Sequence, residues 1–152
     1  TRQDRLDEIV IRLAGGAAEE VLLGARSDGA GGRQGCDLWQ ATALAASLEL
    51  SLGLGGSLAW LAAEDDFDGM LAIARRDPEI RRTVEATLQE QTARARRMIE
   101  ERRDKVETLA QVLQDRGCVS GYEVIAILTT PRPRASPSEL TPHPDNPKTP
   151  TL

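Results

Sequence analysis

The spacing of apolar residues along this chain predicts helices rather than strands. From Arg2 to Leu23 apolar side chains recur at steps of three and four residues, as on one face of an amphipathic helix. An alanine-rich second helix is expected from Leu38 to about Ser51, with Asp37 opening it. Since no segment alternates convincingly between apolar and polar residues, the sequence predicts an all-α fold.

Start and stop signals are clearest in the second half of the chain. Asp77-Pro78-Glu79 places a capping side chain, then a proline at the first helical position, then an acidic first turn. The apolar stripe that follows runs to about Gly117, with a break predicted near Arg103-Asp104. Ser120-Gly121-Tyr122-Glu123 has the pattern of a capping box and predicts one last helix.

Two features depart from regular helix composition. Gly15-Gly16 interrupts the first helix at a cost of about 1 kcal/mol per glycine relative to alanine, so close helix packing is expected there. Residues 131–152 hold seven of the eight prolines, which remove amide donors and fix φ. We therefore expect one helical domain over residues 1–130 and a disordered tail over residues 131–152.

Composition narrows the class of protein. The chain has 152 residues, of which 40% are apolar, and a formal charge of −5. The length and composition predict one globular domain, and the negative charge argues against a protein that binds nucleic acid in bulk. Residues 1–74 carry 12 acidic and 5 basic side chains. No run approaches the roughly 18 apolar residues of a membrane span, and two cysteines give no disulfide framework, so we expect a soluble chain in a reducing compartment. Because it begins with Thr1, we expect it to be cut from a longer protein.

Asp37 is open to two interpretations. As a helix N-cap it would accept a hydrogen bond from a backbone N–H, and as a carboxylate ligand it would bind a cation beneath a glycine-rich loop. Chemistry alone favours the cap. The loop itself, Gly29–Gly35, has neither the dinucleotide fingerprint nor a Gly-Lys-Ser/Thr motif, and Asp37 would repel a phosphate, so nucleotide binding is not expected.

The other acidic and metal-binding side chains give weaker signals. Glu64–Gly69 lacks the ligand spacing of a calcium loop and is interpreted as an exposed acidic loop. Glu19 and Glu20 point about 100° apart on a helix, so one could face a neighbour, although two surface glutamates are the simpler interpretation. The only histidine, His143, lies in the proline-rich tail, and Cys36 and Cys118 lack ligand spacing, so this chain alone does not predict metal or thiol catalysis.

Four blocks in order resemble the peptidase domain of FtsH-type ATP-dependent zinc metalloproteases. Leu13–Gly24 resembles the family's GGRAAEE block, and Gly35–Thr42 keeps an Asp-Leu-x-x-Ala-Thr core. The stretch from Asp77 to Ala110 resembles the closing helices, and Val119–Val124 the start of the last helix. The chain departs from the family at Gly16, where arginine is usual, and in the residues just before Asp37, where the linker is also a little longer.

This resemblance implies a helical-bundle fold and a function. It makes Asp37 the third zinc ligand, while the other two ligands and the general base belong to an HExxH helix expected upstream of Thr1. Glu19 and Glu20 become candidates for orienting the site. The parent protein would be an ATP-dependent metalloendopeptidase acting on protein substrates. We expect it to form a homo-hexamer on the cytoplasmic face of the inner membrane, with its ATPase module and membrane anchor also upstream.

On this interpretation the chain alone is inactive. It would supply the Asp ligand and a helical surface for oligomerisation. The alternative is a catalytically inactive oligomerisation or adaptor module related to the same family, in which Asp37 is only a helix cap.

Overall fold

The computed structural model describes residues 1–130, and helices make up nearly all of its regular structure. No strand occurs within this range, which confirms the all-α prediction. A short 3₁₀ turn at Asp28–Ala30 lies in the loop between the first two helices. The α-helices of residues 1–130 are α1 (Arg2–Leu23), α2 (Asp37–Leu50), α3 (Phe67–Arg76), α4 (Pro78–Glu100), α5 (Arg103–Arg116) and α6 (Gly121–Thr129).

Local capping signals explain where most helices begin and end. Helix α1 has the predicted bounds, with Thr1 as its N-cap and Gly24 at φ 77° as its C-cap. The Asp77 side chain accepts hydrogen bonds from two N–H groups at the start of α4. The predicted break falls between Glu100 and Arg103. Ser120 opens α6 with the expected capping box.

The interpretation of Glu64–Gly69 as a loop is wrong over its second half. Asp66 is the N-cap of α3, because its carboxylate accepts a hydrogen bond from the backbone N–H of Gly69 at 2.9 Å. Phe67, Asp68 and Gly69 therefore belong to a helix that the acidic composition concealed. Glu64 lies outside α3 and forms an ion pair with Arg5 of α1.

The core lies around α2, which packs against α1, α3 and α4. Ile9 of α1, Leu48 and Leu50 of α2 and Met70 of α3 are its largest fully buried apolar side chains. The small side chains of alanines allow the helices to approach each other closely. All the alanines of α2 are buried: Ala41, Ala43, Ala45 and Ala46.

A second, smaller cluster joins the central part of α1 to α4. It consists of Val10, Ala17 and Ala95, with Ile99 packed against them. Helix α1 thus contacts α2 along one side and α4 along another, and both contacts depend on small side chains.

Helices α5 and α6 have no buried residues and pack mainly against each other. Lys105 of α5 supplies a specific link between them. Its Nζ donates hydrogen bonds to the carbonyl oxygens of Ile127, Leu128 and Thr130. These carbonyls lie at the C-terminal end of α6, where a cation also interacts favourably with the helix dipole.

Residues 131–152, for which a disordered tail was predicted, lie outside the described residues. The proposed domain boundary at residue 130 therefore stays a prediction. Among the helices of residues 1–130, none is both long and apolar enough to cross a bilayer.

We expect Lys105→Met to loosen α6 without unfolding the main core. The loss of the cation at the helix end should cost about 1 kcal/mol, which corresponds to roughly fivefold faster amide exchange in α6. Hydrogen exchange resolved by mass spectrometry measures this, with Lys148→Met as the matched lysine control. Equal exchange in α6 of the two variants would contradict a capping role for Lys105.

The capping box of α6 should persist to a lower pH than it would if Glu123 had the ordinary pKa of a glutamate. The backbone N–H of Ser120, then its hydroxyl, then Arg116 lower the pKa of Glu123 from 4.5 to about 2. Because the folded-state pKa is the lower one, this stabilisation is present above pH 4.5 and is lost as the pH falls toward 2.

An NMR titration of the Glu123 carboxyl carbon would measure this directly. A midpoint well below 4.5 is expected, and Ser120→Ala should raise it. A midpoint at the ordinary glutamate value in the unaltered chain would show that the capping box does not form in solution.

Candidate functional site

Asp37 is the first residue of α2, and it is not the helix cap. Cys36 holds the N-cap position, where its Sγ accepts a hydrogen bond from the backbone N–H of Trp39 at 3.4 Å. The Gln40 side chain donates to the carbonyl of Gly35 at 2.6 Å and fixes the chain just before the helix. The cap interpretation of Asp37 is therefore wrong, because a cysteine, an uncommon capping residue, takes that place.

The Asp37 carboxylate is exposed and makes no hydrogen bond or ion pair with any residue of 1–130. It opens onto a cleft of about 400 Å³. The glycine-rich loop forms the rest of the cleft wall, through Gly29, Gly31, Arg33, Gln34, Gly35 and Cys36. A carboxylate in this position keeps all its lone pairs available for a cation.

A complete metal site is not formed by residues 1–130. Within that range no three His, Cys, Asp or Glu side chains lie close enough together to hold one ion. Catalytic zinc takes three protein ligands and keeps one open position. The described part of the chain thus fits zinc only as the donor of a single carboxylate ligand.

Glu19 holds the beginning of the glycine-rich loop against α1. Its carboxylate accepts hydrogen bonds from both the backbone N–H and the hydroxyl of Ser27, each at 2.7 Å. The hydroxyl, and then the N–H, lower the pKa of Glu19. At neutral pH this side chain is therefore a charged hydrogen-bond acceptor for the loop.

Glu20 is half-buried between two arginines. It pairs with Nε of Arg26 at 2.9 Å, and with Arg96 of α4. The Arg26 side chain lies directly over Gly16, where a Cβ atom would come within 2.9 Å of Nε. The close packing expected at Gly15-Gly16 is thus with an arginine side chain at Gly16, and Gly15 faces open space.

The two glutamates hold the loop start, and neither hydrogen-bonds to Asp37. Ser27, the partner of Glu19, precedes Asp37 by ten positions. A further tie lies closer to Asp37, because the Gln34 amide donates to the Asp68 carboxylate of α3 at 3.2 and 3.3 Å. Sequence reasoning missed this tie and missed Arg26, since neither has a periodic signal or a local motif.

Two further candidates from the sequence are Cys118 and His143. Cys118 is exposed, and both cysteines are free thiols. His143 lies outside the described residues.

Comparisons with known proteins agree on one family. The sequence model of peptidase family M41 matches residues 1–127. An ATP-dependent zinc metalloprotease FtsH 1 of Symbiobacterium thermophilum is 37% identical over 128 residues, which is 84% of this chain and 20% of that protein. An ATP-dependent zinc metalloprotease FtsH of Cupriavidus metallidurans is 32% identical over 145 residues, 88% of this chain and 21% of its own length. The chain spans about a fifth of the length of these curated relatives. No solved structure matches the chain at a significant level.

The two adjacent glycines of α1 should respond differently to alanine. Gly15→Ala should stabilise the fold by about 0.5–1 kcal/mol, because alanine loses less backbone freedom on folding. Gly16→Ala should stabilise the fold less than Gly15→Ala does, or destabilise it, because the new methyl group forces Arg26 away from Glu20. Urea unfolding of both variants measures the difference.

The same pair in an Arg26→Ala background isolates the cause. In that background Gly16→Ala should stabilise the fold about as much as Gly15→Ala, because the Arg26 side chain that would contact the new methyl group is absent. If the two glycines still differ to the same extent without Arg26, the contact between Arg26 and Gly16 is not the reason.

Proposed function

Because this chain belongs to peptidase family M41, we propose that it is the C-terminal part of the peptidase domain of an ATP-dependent zinc metalloendopeptidase that degrades proteins. The observation that supports this most is the exposed, unpartnered carboxylate of Asp37 at the start of α2. It stands at the position that resembles the family's third zinc ligand.

Asp37 would bind zinc together with two histidines of an HExxH helix that precedes Thr1 in the parent protein. When bound, zinc acts as a Lewis acid that lowers the pKa of its water. The role of Asp37 is to hold one coordination position from a rigid helix end. Its location in the first turn of α2 suits an anionic ligand, since the helix dipole stabilises negative charge there.

Glu19 and Glu20 are proposed as residues that position Asp37 indirectly. They bind Ser27 and Arg26 at the start of the loop, so they limit the conformations through which the chain can reach α2. Outer partners of this kind commonly tune metal affinity by orienting the ligands. Their effect on zinc should therefore be weaker than that of Asp37 itself.

The remaining parts of the proposal concern the parent protein. ATP would be bound by an ATPase module upstream, protein substrates would be cut at the zinc site, and the subunits would assemble as a homo-hexamer on the cytoplasmic face of the inner membrane. Helices α5 and α6 support an oligomerisation role, because they leave large apolar side chains exposed, among them Tyr122, Ile125 and Leu128.

We expect Asp37→Asn to abolish zinc binding and peptidase activity in the protein extended upstream to its natural start. The amide lacks the negative charge that a zinc ligand supplies here, while its exposure means that helix content should not change. Zinc content, ATP-dependent casein hydrolysis and far-UV circular dichroism are the measurements.

Asp65→Asn serves as the matched control, because Asp65 is also an exposed aspartate with no partner within residues 1–130. It should keep about one zinc per chain and full cleavage. Retention of zinc and casein cleavage by Asp37→Asn would refute the ligand assignment. An unaltered protein that is folded and oligomeric, yet metal-free and inactive, would instead support the alternative of an oligomerisation module.

A further inference from the structure

A cleft beside the Asp37 loop combines basic and apolar side chains. It measures about 500 Å³ and lies between α1 and the glycine-rich loop. Three arginines line it: Arg12 from α1, Arg26 from the loop start and Arg33 from the loop itself. Arg33, Gly29 and Gly31 also line the cleft around Asp37, so the two clefts share a wall.

Two of these three guanidinium groups have no partner in the described part of the chain. Arg26 pairs with Glu20, whereas Arg12 and Arg33 are exposed and form no ion pair or side-chain hydrogen bond with residues 1–130. Residues 1–74 contain 12 carboxylates and only 5 basic side chains. Two unpaired arginines at the same cleft leave positive charge available to an anion from outside residues 1–130.

The cleft carries a net positive charge. Arg12 and Arg33 contribute two positive charges and Asp28 contributes one negative charge, while Arg26 shares the single carboxylate of Glu20 with Arg96. The cleft therefore attracts an anion. The planar guanidinium also matches the geometry of a carboxylate.

The cleft also has an apolar side. Leu13 and Leu38 line it, and Leu38 is 42% exposed. A bound carboxylate could therefore belong to a peptide with an apolar neighbour, whose side chain would cover Leu38. A free organic acid would leave that surface exposed.

We propose that Arg12 and Arg33 form a recognition site for a carboxylate of an acidic peptide segment, adjacent to Asp37. The role of this peptide as a substrate rests on the proposed peptidase function, whereas its binding does not depend on that function. Arg12 and Arg33 are then specificity-determining residues, since they favour segments that carry Asp or Glu.

Two labelled peptides test the proposal on the 152-residue chain. They are identical except for a central Glu or Gln next to a leucine, and fluorescence anisotropy measures their dissociation constants. The Glu peptide should bind about tenfold tighter, as expected for hydrogen bonds from charged donors. Equal affinities, or no binding of either peptide, would overturn the proposal.

Arginine variants assign the preference to the cleft. Arg12→Gln and Arg33→Gln should each remove most of the preference for Glu, whereas Arg2→Gln should keep it. Arg2 is the matched control, because it is an exposed arginine of the same helix about 15 Å along the axis from Arg12. An equal loss in Arg2→Gln would show a general charge effect and refute the site.

Two additional results separate the remaining possibilities. Inorganic phosphate that displaces the Glu peptide at far lower concentration than acetate would assign the cleft to phosphoryl groups and overturn the carboxylate proposal. A preference for Glu that holds while the upstream-extended protein fails to cleave casein would support the site and refute the peptidase function. The binding assay requires neither zinc nor hydrolysis.

Discussion

The close packing of α2 against its neighbours is the constraint on which the rest of the structure depends. Helix α2 contributes alanines such as Ala41 and Ala45 to the core, and alanine fills so little volume that α1 and α4 must approach closely. Large side chains complete the core from the facing helices, with Ile9 of α1 and Met70 of α3, and from α2 itself, with Leu48 and Leu50. Any added methylene on α2 would therefore push a helix rather than fill a void. This fixes the direction of α2, and with it the position of Asp37 at its first turn.

The glycine-rich loop between α1 and α2 is held at both ends, and Gln34 also joins it to Asp68 of α3. Glu19 and Glu20 hold its start, and Cys36 with Gln40 hold its end. In between, Gly32 and Gly35 adopt positive φ values of 87° and 82°, which residues with a side chain rarely do. This arrangement explains how an exposed carboxylate can keep a defined location without direct hydrogen bonds of its own.

How much could be predicted depended on whether the signal was local. The bounds of α1 and the starts of α4 and α6 follow from capping residues and apolar spacing, which act within one turn. Helix α3 was missed because its cap, Asp66, lies within a run of carboxylates that has the composition of a loop. The Asp37 position was chosen from a resemblance, and its assignment as a cap failed because Cys36 takes that role. The partners of Glu20 could not be predicted, since Arg26 and Arg96 meet it only through the tertiary fold.

Charged side chains in the first half of the chain both join elements of the fold and line the glycine-rich loop. In the acidic first half, Arg5 joins α1 to the segment before α3 through Glu64, and Arg26 joins the loop to α1 through Glu20. These arginines stabilise contacts between elements, and both are matched by carboxylates. Arg12 and Arg33 are exposed and differ from these two arginines. They have no partner within residues 1–130, and they line a cleft that shares Gly29, Gly31 and Arg33 with the cleft around Asp37. Of the five arginines in this half, Arg5 and Arg26 stabilise contacts of the fold, and Arg12 and Arg33 line the cleft where a negatively charged chain would pass Asp37.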